Sequence, residues 1–170
     1  MVTAVLHREH ALMERSDPGL VLWQKGWGTL QRSGVKLSLY ETLFLHETER
    51  VTVMKVKRAC TDEEIVRAGR KHDGAFWTKY CVFRDLRGKG YLVKTALKFG
   101  ADFRVYEKGA KQGEQHAKWI VYPVRESERF SWYDFSAKNR VAHSTRKNLL
   151  IAVVDDEDDV TYFEVSWTRP

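Results

Sequence analysis

The sequence predicts a mixed α/β protein: an α+β N-terminal domain over 1–74, then a C-terminal domain over 75–170 built on a mixed sheet flanked by helices. Three observations carry that prediction. Two capping boxes, Ser38-Leu39-Tyr40-Glu41 and Thr61-Asp62-Glu63-Glu64, each set a hydroxyl N-cap three residues before a glutamate. Phe76, Tyr80, Phe83 and Arg87 recur at helical spacing, with Val82 and Leu86 flanking. Leu149-Leu150-Ile151-Ala152-Val153-Val154 is a near-continuous apolar run, which requires a central strand buried on both faces.

Taken in order, residues 2–14 mix apolar and polar positions as one or two strands do. Asp17-Pro18-Gly19 is a turn signal, and Leu20–Trp23 reads as a short strand before a turn through Gly26-Trp27-Gly28. The first capping box opens a helix over about 38–49. Val51–Val56 alternates as a half-buried strand, and the second capping box opens a helix toward Arg70. The pattern resets at His72-Asp73-Gly74, which places the domain boundary. The helix from Phe76 ends at Gly88, a suitable C′ residue. Tyr91–Val93 is a strand, Phe99-Gly100 a bend, Ala101–Tyr106 a strand and 107–113 a polar loop. His116 stands at the entry to the strand Trp119–Tyr122, which Pro123 helps to end. A helix runs from Ser131 to about Val141, the apolar run follows, and Val160–Trp167 alternates as the final strand after an acidic turn.

At 170 residues the chain can bury a real core, and its 43% hydrophobic and 31% charged content is that of a globular protein. No apolar run approaches the roughly 20 residues that cross a bilayer. The N-terminus carries Glu9 and no long apolar stretch, so no signal peptide is expected; the reading is a cytoplasmic protein with no membrane partner. Cys60 and Cys81 lie far apart and read as buried thiols, a disulfide being expected only in a hyperthermophile. The histidines show no metal-ligand spacing, so no metal or other cofactor is expected. Net charge is +6, yet Asp155, Asp156, Glu157, Asp158 and Asp159 carry −5, leaving +11 on the rest. A basic body with an acidic knob calls for a polyanion as one partner and a cationic surface as another.

The stretch from Lys98 to Lys147 holds the chemistry-bearing residues. Tyr106 ends a basic strand, His116 follows the glycine-containing loop, and Lys147 closes Arg140-Val141-Ala142-His143-Ser144-Thr145-Arg146-Lys147. RNA carries its own nucleophile, the 2′-hydroxyl; cutting requires a base for that oxygen, an acid for the departing 5′-oxygen and a cation for the phosphorane. Imidazole titrates at ~6.5 and is the natural acid. Ammonium supplies the cation. A phenol, at ~10, needs nearby cations to act as base, and Arg104, Lys108 and Lys147 are candidates. Each residue alone also has a plain reading as a packing or solvated side chain.

The runs Gly90–Tyr106, Arg140–Lys147 and Ala152–Asp156 closely resemble the archaeal tRNA-splicing endonucleases, over about 77–167. Leu37–Glu41 and Leu43–Leu45 are similar to that family's N-terminal helix. The resemblance implies Tyr106 as general base, His116 as general acid and Lys147 as transition-state cation in a catalytic subunit, on a restriction-endonuclease-like C-terminal fold. It implies Arg140 as one jaw pinching a flipped bulge base. Trp167 or Arg169 is the other, Trp167 preferred, and Arg104 is a further RNA contact. It implies that Asp155–Asp159 inserts into a basic cleft of an opposing subunit, giving a tetramer of one chain or of two. The substrate would be precursor tRNA, cut at bulge-helix-bulge junctions into 2′,3′-cyclic phosphate and 5′-hydroxyl ends. Two rivals stay open: a metal-dependent nuclease, although Asp102 with Glu107-Lys108 lacks the required spacing, and a non-catalytic RNA-binding subunit.

Overall fold

The computed structural model describes residues 2–96, 101–111, 113 and 115–168. The chain forms two compact units, Met1–Trp77 and Thr78–Pro170. Both are mixed α/β, as the sequence predicts.

In the first unit, β1 (Val2–Leu6), β2 (His10–Glu14), β3 (Thr29–Gln31), β4 (Gly34–Ser38), β5 (Val51–Lys55) and β6 (Arg58–Ala59) make one sheet. Its order is β3-β4-β2-β1-β5-β6, parallel only at β1–β5. Helix α2 (Leu39–Glu47) starts as its capping box dictates: Ser38 Oγ accepts the Glu41 N–H at 3.2 Å, and Glu41 Oε2 accepts the Ser38 N–H at 2.9 Å. The Glu41 carboxylate is buried, a costly position offset by further bonds from Ser38 Oγ and the Gly28 N–H, each 2.9 Å. Gly28 is required there, since at φ +67 a Cβ would stand 2.6 Å from Val35 Cγ1. Helix α3 (Asp62–His72) also opens at its box, with the Thr61 N–H donating to Glu64 Oε2 at 3.2 Å.

The sequence reading errs between Asp17 and Trp23. The structure has α1 (Asp17–Gln24) in place of a turn and strand. Ser16 caps it, accepting the Gly19 N–H at 3.4 Å, and Pro18 costs nothing in a first turn whose N–H groups have no helical partner. The same residue types signal turns and helix starts, and here the helix wins.

The second unit carries α4 (Phe76–Gly88), which begins in the first, and α5 (Trp132–Ser144). Its strands are β7 (Leu92–Thr95), β8 (Phe103–Tyr106), β9 (Trp119–Arg125), β10 (Asn148–Val154) and β11 (Val160–Val165). They form a sheet of order β11-β10-β9-β8-β7, parallel only at β9–β10. On one face Phe83 of α4 meets Phe103 of β8, ring centroids 5.9 Å apart, and Leu86, Val105, Trp119 and Leu150 line a cavity of ≈ 230 Å³. The other packs Ala142 and Phe135 of α5 with Ile120, Tyr122, Leu149 and Ile151. Successive residues of β10 therefore meet apolar partners on both sides, which is why 149–154 alternates so little. Each fully buried aliphatic side chain contributes about 1.5–3 kcal/mol.

Two further expectations need correction. Pro123 does not end its strand: β9 runs to Arg125. Pairing with β8 stops at Val121, so among the described residues β9 is open on that side beyond it and a missing N–H breaks no ladder there. Gly88 is the last helical residue of α4; the C′ residue is Gly90, at φ 88. The bend at Phe99-Gly100 lies outside the described residues.

Helices α1, α2, α4 and α5 share one C-terminal lock, in which the C″ N–H reaches back to C3. Gly26 and Gly90 hold the left-handed position in two of them, but Glu49 (φ 55) and Arg146 (φ 55) hold it in α2 and α5. A side chain there costs about 1–2 kcal/mol. Glu49→Gly, partly offset by glycine's freedom when unfolded, should stabilise the protein by up to about 1 kcal/mol. A higher melting temperature with unchanged activity would bear this out, and an unchanged or lower one would refute it.

Candidate functional site

Three segments meet at one end of the C-terminal sheet. Tyr106 is the last residue of β8, opposite Leu92 of β7. The Lys118 N–H donates to the Val105 carbonyl, and the Asn148 N–H to the Lys118 carbonyl, both at 2.9 Å. These bonds clasp the start of β9 from its two sides. Tyr106 and Lys147 therefore flank Lys118, with backbones about two strand spacings, roughly 10 Å, apart. His116 lies two residues before Lys118, exposed, in the segment that feeds β9.

Side-chain direction follows from the pleat. Phe103 and Val105 of β8 are buried and Arg104 and Tyr106 half-buried, so the latter two share a face. Arg104 pairs with Ile120, which belongs to the cluster under α5, so Tyr106 stands on the α5 face. Lys94 lies directly opposite Arg104 on β7. The buried Nε of Arg104 has no hydrogen-bond partner among the described residues. Lys108, the other strand-end cation, holds its Nζ 5.1 Å from the centre of the Tyr91 ring.

Lys147 is placed by the way α5 stops. Thr145 is the C-cap, Arg146 turns left-handed, and the Lys147 N–H returns to the Ala142 carbonyl at 2.9 Å. The half-buried lysine then donates from Nζ to the Thr145 carbonyl at 2.8 Å. Beside it is a cleft of ≈ 220 Å³ bounded by Asn139, His143, Arg146, Lys147 and Trp167. Trp167 is 51% exposed, with its ring edge-on to His143 at 4.0 Å between centroids. Arg140 is exposed one helical turn before His143, on the same side of α5. Arg140, Trp167 and Lys147 thus gather at one helix end. His143 and Arg146 were not foreseen as site residues, although both lie inside the motif from Arg140 to Lys147. Arg169 lies outside the described residues.

The acidic turn does not present five equal charges. Asp155 Oδ1 accepts the N–H groups of Glu157 and Asp159, at 3.0 and 2.9 Å. Asp158, at φ 65, turns back to Arg125, whose Nη2 donates to it at 3.0 Å while Nη1 donates to the Asp155 carbonyl at 2.6 Å. Asp156, Glu157 and Asp159 are the exposed members.

Cys60 and Cys81 are both buried and free. Burial raises both thiols, and with Asp158 nearby Cys81 is pushed up to about 11, which disfavours the thiolate in both. Among the described residues no three His, Cys, Asp or Glu side chains are grouped to hold a metal ion, and no helix is long and apolar enough to cross a membrane.

Comparison with known proteins agrees over both units. Residues 76–162 match the family model described as the tRNA intron endonuclease catalytic C-terminal domain, and residues 2–66 match that of its N-terminal domain. The chain is 43% identical over 145 residues to the tRNA-splicing endonuclease of Pyrococcus abyssi, covering 85% of this chain and 83% of that one. It is 39% identical over 165 residues to that of Thermococcus onnurineus, covering 96% and 95%. To that of Nanoarchaeum equitans it is 41% identical over 141 residues, covering 79% and 90%.

Proposed function

The chain belongs to the tRNA intron endonuclease family, and from that premise we propose that it cuts precursor tRNA at both exon–intron junctions, in the cytoplasm, without a metal. The observation that supports this most is the sheet end at which Tyr106 and Lys147 flank the start of β9 while His116 stands on the segment leading into it. In this reading residues 75–170 carry the chemistry and residues 1–74 form the accompanying α+β domain.

Tyr106, as general base, takes the proton from the 2′-hydroxyl, with Arg104 on the same face of β8 and Lys147 across the start of β9. The 2′-oxygen attacks the adjacent phosphorus. Lys147 faces the charge that builds on the non-bridging oxygens. As the bond to the 5′-oxygen breaks, protonated His116 donates its proton to that oxygen. The products are a 2′,3′-cyclic phosphate and a 5′-hydroxyl. Arg140 and Trp167 grip a base splayed out of the bulge, by cation–π contact and stacking. Bulge-helix-bulge RNA is recognised by shape more than by sequence. Asp156, Glu157 and Asp159 are the acidic contacts through which a tetramer, of this chain alone or with a structural partner, assembles.

The test is to incubate the purified chain with an intron-containing precursor tRNA in excess EDTA. Two cuts are expected, with 5′ ends that a kinase phosphorylates without prior phosphatase treatment and 3′ ends closed as cyclic phosphates. Binding without cutting would make the chain an RNA-binding or structural subunit. Cutting only when Mg²⁺ is restored would make it a metal-dependent nuclease.

A further inference from the structure

We propose that a basic groove in the N-terminal unit is a second RNA site, holding the phosphodiester backbone of the precursor tRNA through residues separate from those that cut. The inference rests on the function proposed above. The groove, ≈ 620 Å³, lies between the β1–β2 turn, the end of β5 and one face of α3, and is lined by His7, Arg8, Lys55, Glu64, Arg67 and Lys71 among others.

Its charge balance is one-sided. Arg8, Lys55, Arg67 and Lys71 are all exposed, and none pairs with a carboxylate among the described residues. The lining carboxylate is committed elsewhere: Glu64 receives both Nη groups of Arg58, at 2.8 and 2.5 Å, and that guanidinium holds its carboxyl down at about 2. Glu9 faces His72 at 3.7 Å. Arg67 and Lys71 sit one turn apart on α3, about 5–6 Å between Cβ atoms, where like charges repel. Glu63 stands one turn before Arg67 on this face and interacts with it, and beyond that acid Arg67 and Lys71 are two adjacent cations at a spacing that suits successive phosphates.

The rings favour RNA over an acidic peptide. His7, exposed in the groove wall, stacks on His10 at 4.9 Å with an interplanar angle of 19°. Burial, with Lys36 and His7 nearby, lowers the His10 imidazole. A carboxylate loop has no use for a flat aromatic surface, whereas a nucleotide uses cations for its phosphate and a ring for its base.

The experiment compares Arg8→Ala/Arg67→Ala/Lys71→Ala with the control Lys25→Ala/Arg32→Ala/Lys36→Ala, which removes the same charge from exposed positions outside the groove. Precursor-tRNA Kd is measured across a salt series, with kcat at saturating RNA and the mass of the assembly. The groove variant should bind roughly 10-fold or more weakly, and its slope of log K against log salt should shrink by about 2–3, since each lost phosphate contact removes ~0.7–0.9. Its kcat and assembly mass should match the wild type, and the control should bind more nearly as the wild type does. Equal Kd and slope in the two variants would overturn the proposal. So would a fall in assembly mass confined to the groove variant, which would make the groove a socket for another copy's acidic turn. Wild-type protein that binds but does not cut refutes only the catalytic reading, because the groove is scored on binding. Wild-type protein that does not bind precursor tRNA refutes both.

Discussion

His116→Ala should lower cleavage of precursor tRNA by about 10²–10⁴-fold at saturating RNA, the contribution expected of a positioned general acid, and leave Kd unchanged. The side chain is exposed, in the segment just before β9, so its removal opens no cavity and should alter stability by no more than about 0.5 kcal/mol. A structural role would move the melting temperature; an acid role moves only the rate. The decisive comparison uses RNA whose 5′-bridging oxygen is replaced by sulfur at the cut site. A thiolate leaves without a proton, so His116→Ala should recover most of its lost rate on that substrate while gaining nothing on ordinary RNA. If the variant stays as slow on the sulfur substrate as on the natural one, His116 is not the acid.

What the sequence discloses here depends on how far apart the deciding groups lie. The boxes at Ser38/Glu41 and Thr61/Glu64 are complete within four residues, and both helices start where they say. The run at Leu149–Val154 is legible because burial on both faces of β10 leaves its mark on every residue of that strand. Where two outcomes share one local signal, reading fails: Asp17-Pro18-Gly19 suits a turn as well as a helix start, and Pro123 suits a strand end as well as a strand open on one side. The strands β3, β4 and β6 went unread, being short and paired with segments whose identity only the sheet reveals. In the site, Tyr106, His116 and Lys147 stand out as residue types, but their placement about one strand end follows from the parallel pairing of β9 with β10, which no spacing announces. The acidic turn shows the same limit. Its five charges are visible in sequence, yet the turning-in of Asp158 depends on Arg125, more than thirty positions earlier.

Lys147→Ala should lower kcat by about 10²–10³-fold, the effect of deleting one preorganised donor to a developing oxyanion. The backbone at this position is fixed from two directions, by the return bond to Ala142 at the end of α5 and by Asn148 pairing with Lys118 at the start of β10. In the proposed mechanism that fixity would give the ammonium its value, since a cation already in place needs no reorganisation when charge appears on the phosphorane. The competing explanation is helix capping, because Nζ reaches the Thr145 carbonyl. A C-terminal cation of that kind contributes roughly 0.3–1 kcal/mol to folding and nothing to a rate measured on folded protein at saturating substrate. Lys147→Arg separates the two. It retains the positive charge at the helix end, so stability should stay close to wild type. A planar guanidinium does not reproduce a compact ammonium at a site shaped for one, so most of the rate should still be lost. Sulfur at the leaving position should rescue neither Lys147 variant, because the deficit lies in charge on the phosphorane and not in a missing proton. A Lys147→Arg protein that cuts at the wild-type rate would reduce this lysine to a helix cap and leave the phosphorane without its assigned cation.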